Sequence, residues 1–177
     1  MIGARSDAIA GAGGVRLEQE TAADWWEVEA LFDLVFAPGR EALSSYRLRE
    51  GVDPVDRLCL VMRDDSGMIA AAIRHWPVCV GETPALLLGP VAVHPTHQGE
   101  GLGGYLIREG LARATELGWR RVLLVGDAPY YGRFGFARLD DVGMPPPTNP
   151  ARVLGYGDWK GVGGQVTPWG SAGCGAG

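Results

Sequence analysis

Cysteine is scarce in this chain: three residues in 177, Cys59, Cys79 and Cys174, too few and too scattered for a disulfide framework. No C-x-x-C pair occurs, and His75, His94 and His97 lack partners at metal-ligand spacing, so no metal site is expected. Cys59 and Cys79 read instead as small buried hydrophobes. Clusters of basic residues are also missing, and 16 Lys and Arg against 21 Asp and Glu leave a net charge of −5. Without concentrated positive charge a surface cannot displace the counterions of a duplex, which argues against nucleic acid as a main partner. An acidic balance is compatible with a cationic small substrate, although most acidic domains use it for solubility. Nor is there a run of about 18 apolar residues, the length a membrane span needs. The opening "MIGARSDAIAGAGG" is interrupted by Asp7 and does not read as a signal peptide. These absences together lead to the expectation of a cytoplasmic protein with no membrane partner.

What is present is an ordinary globular composition, 46% hydrophobic and 21% charged, long enough for one domain with a real core. Glycine is the outlier at 28 residues. Residues 1–14 read as a flexible leader, 15–169 as a single domain and 170–177 as a flexible Gly-rich tail. "VRLEQE" alternates like a half-buried strand, and Thr21 then offers an N-cap to a helix carrying Trp25, Val28, Leu31, Phe32, Val35 and Phe36. "APGR" ends that helix, and "EALSSYRLRE" reads as a second short one. Asp65-Ser66-Gly67 joins two hydrophobic strands as a hairpin. "LLLGPVAV", residues 86–93, is a buried strand in which Gly89-Pro90 signals an irregularity. A helix over Leu102 to Leu117 follows, then the strand "RRVLLVG", a short helix capped by Asp127, and further strands around a proline-rich excursion. Antiparallel strands followed by a strand–helix–strand crossover predict an α+β fold: a mixed, mostly antiparallel sheet with helices on both faces.

The chemistry concentrates where the buried strand runs through "HPTHQGEGLGG" into the helix. The first turn of a helix leaves backbone N–H groups unpaired and carries about half a positive charge, which makes it an anion site. Glycines remove the side chains that would block a pyrophosphate. Gly99, Gly101 and Gly104 even satisfy G-x-G-x-x-G, and Asp127 lies 23 residues further on, where a ribose-binding acid would fall. Against a dinucleotide site, five residues, His94 to Gln98, separate the strand from the first glycine. The preceding hairpins also do not form a repeated βα pattern.

"QGEGLG", Gln98 to Gly103, matches Q/R-x-x-G-x-G/A at every fixed position, and "YGRFGF" places Tyr131 four residues before Gly135-Phe136. With one helix and one strand between the two motifs, the chain resembles the GNAT superfamily of acyl-CoA-dependent N-acetyltransferases from about Val15 to Trp169. The resemblance implies a GNAT-like fold and an enzyme that moves an acetyl group from acetyl-CoA, its cosubstrate, to a primary amine by direct transfer. It implies pyrophosphate binding by backbone amides of Gln98, Gly99, Gly101, Gly103 and Gly104, which needs no basic side chain. It further implies that the pantetheine arm pairs with Val91 and Val93 where the strand opens from its neighbour, with Val91 N–H donating to the thioester oxygen. Tyr131 is then the acid that protonates the departing thiolate, with the adjacent Tyr130 as rival.

Some family members carry a glutamate base on the strand before the loop, where this chain has Leu86, Leu87 and Leu88. His75, Glu82, His94 and Glu41 are conceivable substitutes, and none stands out. That gap keeps alive a non-catalytic acyl-CoA sensor or interaction module, and the glycine spacing, more distantly, an NAD(P)-binding oxidoreductase. The acceptor, a small-molecule or peptide amine, is not legible. Family members are often dimers, so a homodimer is left open.

Overall fold

In the computed structural model, residues 7–8, 14–36, 39–171 and 173–174 are described. The backbone of one sheet is a run of antiparallel strands: β1 (Asp7–Ala8), β2 (Arg16–Gln19), β3 (Leu60–Arg63), β4 (Ile69–Val80) and β5 (Thr83–Val93) follow one another in space. A helix, α3 (Leu102–Glu116), then carries the chain over to β6 (Arg121–Val125), which lies parallel to β5. The sheet continues through β9 (Val153–Gly157) to β7 (Ala137–Arg138), while β10 (Gly164–Pro168) pairs with the far end of β4 and with β8 (Val142–Gly143). One longer helix, α1 (Trp25–Phe36), and two short ones, α2 (Ser44–Arg47) and α4 (Ala128–Tyr131), complete the frame with α3. The expected α+β architecture is present.

Strand alternation decides which helix covers which face. Ile73, Leu86, Leu88, Val122 and Leu124 point to one side, where Leu102, Leu106, Ile107, Leu111 and Ala114 of α3 pack on them. Ala72, Ala92 and Val61 point to the other and receive Val28, Leu31 and Phe32 of α1. β4 is buried along its full length because both its faces are covered, and this is why apolar residues occupy both faces rather than alternating with exposed polar ones.

Polar groups are also enclosed beneath α1. The Arg74 guanidinium, 2% exposed, lies over the Trp25 ring at 4.0 Å and bonds both Glu20 oxygens, at 3.0 and 2.7 Å, as well as Glu29. Glu29 also takes Arg40 Nη2 at 2.5 Å, and Arg40 Nε reaches Asp33 at 2.7 Å. This network ties α1 to the segment Arg40–Ala42 and to β4.

Several boundaries differ from the sequence reading. The stretch after Thr21 begins as a 3-10 turn, Ala22–Asp24, before α1 proper, with Asp24 accepting the Thr21 N–H at 2.8 Å. Within the segment read as a leader, Asp7–Ala8 pair with Leu17 and Arg16; the rest of residues 1–13 lies outside the described residues. The reading of Cys79 as a simple buried hydrophobe is corrected: it is disulfide-bonded to Cys174, Cα to Cα 6.0 Å, across 95 residues. Cys174, expected in a free tail, is itself buried. A pairing of that sequence separation is made only by the completed sheet, and spacing along the chain carries no trace of it.

Candidate active site

The site begins with a divergence of two strands. β5 and β6 pair only at Leu86–Val122 and Leu87–Leu123, yet β5 runs on to Val93 and β6 to Val125. On the opposite edge the β4–β5 register passes from His75–Leu88 to Ile73–Val91, so Gly89 and Pro90 face the single residue Arg74 as a bulge. Gly89 has φ +127, a conformation open to glycine, and Pro90 has no N–H to contribute to a ladder. The irregularity read in the sequence is thus the point at which β5 bends away from β6.

Beyond the bulge the backbone exposes hydrogen-bonding groups to the gap. His94 N–H donates to Ala70 C=O at 2.8 Å, toward β4. Because successive residues of a strand alternate sides, Ala92 faces the same way, and Val91 and Val93 turn their N–H and C=O to the side β6 has vacated. The Gln98 side-chain amide reaches Val93 C=O from there at 3.5 Å.

Val93 also opens a cleft of about 430 Å³ that gathers Gln98, Gly99, Gly101, Gly103 and Gly104 around the start of α3. Gly101, the N-cap, has φ +79, and the first helical bond is Tyr105 N–H to Gly101 C=O at 3.1 Å. The amides before Tyr105 therefore stand outside the helix ladder. A Cβ on Gly103 would come within 3.4 Å of Val93 Cγ2 and 3.8 Å of the Tyr130 hydroxyl, narrowing the cleft from its floor. Two residues that sequence reasoning missed join it, Arg108 and Arg133. The first lies 4.9 Å over the Phe134 ring and the second 4.5 Å over Tyr130. Arg108 was findable, being four residues after Gly104 on the same helix face; Arg133 was not, because the short helix that brings it across is placed by packing.

His97 lines the cleft as well, and both its ring nitrogens meet carboxylates: Nδ1 to Glu100 at 3.0 Å and Nε2 to Asp64 at 3.2 Å. These partners, Glu100 foremost and then Asp64, raise its pKa above the ordinary 6.5. A cleft of unpaired amides, small residues and three basic side chains suits a diphosphate.

The gap itself forms a second cavity, of about 150 Å³, between Leu88–Val91 of β5 and Leu124, Val125 and Tyr131, closed above by Phe36, Leu43, Tyr46 and Arg49. The two neighbouring tyrosines separate here. Tyr131 lines the cavity and Tyr130 the glycine cleft. Asp127 caps α4 by accepting Tyr130 N–H at 3.2 Å, and Tyr131 rests on Gly126, where a Cβ would run into its ring. Burial, followed by the neighbouring Tyr130, raises the Tyr131 pKa above 10, so the phenol is held protonated.

None of the four conceivable bases lines this cavity. His75 is fully buried on the α3 side, bonded through Nδ1 to Leu58 C=O at 2.8 Å, with burial pushing its pKa down to about 4. His94 bonds Thr96, Glu82 sits exposed in the β4–β5 turn, and Glu41 is exposed. Burial likewise pushes the Cys59 thiol up to about 12, far from a nucleophile.

Residues 16–139 match the family described as acetyltransferase (GNAT) domain. Among curated proteins, the uncharacterized N-acetyltransferase YhbS of Escherichia coli K12 is 35% identical over 111 residues, 62% of this chain and 65% of that protein. This chain therefore aligns to slightly less than two thirds of that relative's length. Among solved structures, YhbS from Escherichia coli in complex with CoA has a TM-score of 0.74 at 28% identity, covering 96% of this chain and 98% of that one. A GNAT acetyltransferase from Brucella melitensis in complex with acetyl-CoA has a TM-score of 0.59 at 33% identity, covering 80% of this chain and 95% of that one.

Proposed function

Since this chain belongs to the GNAT acetyltransferase family, we propose that it is an acetyl-CoA-dependent N-acetyltransferase that moves the acetyl group directly to a primary amine. The observation that carries the reading is the parting of β5 from β6 beside the glycine cleft, which sets one strand edge between a diphosphate site and a small cavity. Acetyl-CoA, when bound, supplies an activated acyl carbon on a thiolate leaving group. The amides of Gln98, Gly99, Gly101, Gly103 and Gly104 hold its diphosphate, with Arg108 and Arg133 flanking. Val91 and Val93 pair through their main chain with the pantetheine arm.

Val91 N–H donates to the carbonyl oxygen as negative charge builds on it, a contribution of about 3 kcal/mol for a preorganised donor. The amine nitrogen bonds to the acyl carbon as the carbon–sulfur bond breaks, Tyr131 gives its proton to the sulfur, and the proton the nitrogen sheds as the amide forms passes through water to restore the Tyr131 phenol. With no carboxylate or imidazole among the cavity's lining residues, the amine enters neutral or loses its proton to water. Neither Cys59, buried and high in pKa, nor Cys79, bonded to Cys174, is available for a covalent relay.

Calorimetry with acetyl-CoA and with NAD, followed by a thiol-release assay over a set of amines, tests this. Binding of acetyl-CoA with release of CoA on addition of an amine is the expected result. Binding of NAD in its place would overturn the proposal, and acetyl-CoA binding with no turnover on any amine would favour a sensor.

A further inference from the structure

Three arginines are buried on the α1 side of the sheet: Arg40, Arg49 and Arg74, at 7%, 9% and 2% exposure. Arg40 ends on Glu29 and Asp33, and Arg74 on Glu20 and Glu29. Arg49 ends on no carboxylate among the described residues, and its buried Nε and Nη1 have no hydrogen-bond acceptor. A guanidinium left in this state is costly, because burial removes water from the charge and nothing replaces it.

Aromatic faces support the group without accepting from its Nε or Nη1. The Tyr46 ring lies 4.2 Å from its central carbon and Trp76 5.5 Å. The Tyr46 hydroxyl favours the charge but already accepts from Arg40 Nη1 at 2.8 Å. Burial nonetheless pushes the Arg49 pKa down to about 10, which leaves it a cation at neutral pH.

Arg49 also borders the cavity. The side chain lines the opening between β5 and β6, and its Nη2 lies 3.7 Å from where a Cβ on Gly89 would stand. Gly89 is two residues before Val91, at most about 7 Å along an extended strand. We propose that Arg49 receives a carboxylate of the acceptor, so that the molecule acetylated is a compact amine whose carboxylate lies close to its amino group, as in an amino acid. The planar fork of a guanidinium matches the two oxygens of a carboxylate, so one incoming anion bound across Nη2 supplies the missing charge and an acceptor for one of the two unpaired nitrogens. A cavity of about 150 Å³ favours such a small group over a bulky oxoanion.

The inference rests on the acetyl-transfer reading, and its test separates the two. The purified protein is assayed with acetyl-CoA against a panel of L-amino acids, each paired with its own amide and with an aminoalkyl phosphonate of equal length. The wild type is expected to prefer at least one acid to its amide by about tenfold or more in kcat/KM, the scale of a charged hydrogen bond. Arg49→Met is expected to bring that ratio toward one, and Arg49→Lys, which keeps the charge but loses the fork, to recover part of it. Unchanged acetyl-CoA affinity in both variants checks that the fold and cofactor site survive. Amides accepted as well as acids, phosphonates preferred to both, no amino acid accepted at all, or an acid preference that survives Arg49→Met would each overturn this assignment. Failure to bind acetyl-CoA, or binding with no turnover on any amine, would overturn the reading beneath it.

Discussion

At the scale of single residues, the cleft and the cavity divide labour between side chains that are neighbours in sequence. Tyr131, not Tyr130, lines the cavity, so Tyr131→Phe is expected to lower turnover by on the order of a hundredfold while leaving acetyl-CoA affinity nearly unchanged, as read by steady-state kinetics and calorimetry. A Tyr131→Phe enzyme with wild-type kcat would remove it from the mechanism. His97 gives a pH signature. Glu100 and Asp64 raise its pKa, so the protonated bridge stabilises the loop fully below pH 6.5 and is lost as pH rises through the higher folded-state value. Acetyl-CoA affinity is therefore expected to weaken across that window, and His97→Gln to flatten the profile. The glycines of the loop were legible from the chain because a helix start open to a ligand favours them, whereas Tyr131 was singled out only by its place in the second motif of the resemblance. Arg49 was not legible, because its meaning lies in the carboxylates it fails to meet.

Elements set the distances between these groups. In the proposed function the glycines at the start of α3 let a diphosphate approach its amides, and Gly103→Leu is expected to abolish measurable acetyl-CoA binding in calorimetry without unfolding the protein. Undiminished affinity would refute the cleft assignment. α1 is held by ion pairs as well as by its apolar stripe. Glu20→Ala leaves Arg74 short of a partner and is expected to cost about 3 kcal/mol, seen as a lower urea midpoint at unchanged slope. The extent of α3 and the hairpin of β3 and β4 followed from periodicity and turn residues. The split of "EALSSYRLRE" into a 3-10 turn and α2 did not, since a short segment takes its form from what it packs on.

For the whole molecule, the sheet brings together ends that no local signal connects. Cys174 is carried back to β4 and bonded to Cys79, closing a loop of 95 residues. Reduction, or Cys174→Ser, is expected to lower stability by at most about 4 kcal/mol, read as a fall in Tm on adding reductant. A Tm indifferent to reductant would show that the bond contributes nothing. Among the described residues no helix is long and apolar enough to cross a membrane, and no cluster of His, Cys, Asp or Glu could hold a metal ion.

The sequence by itself determined the α+β class, the order of elements and the glycine-rich loop that opens α3, because each is written in local period, turn chemistry and glycine spacing. Tertiary structure alone decided that β5 leaves β6 after Leu87, that Arg108 and Arg133 border the cleft, and that one buried arginine faces a cavity unpaired. Those facts depend on which distant groups share a volume, and burial, which sets the cost of an unanswered charge, exists only once the chain has closed around it.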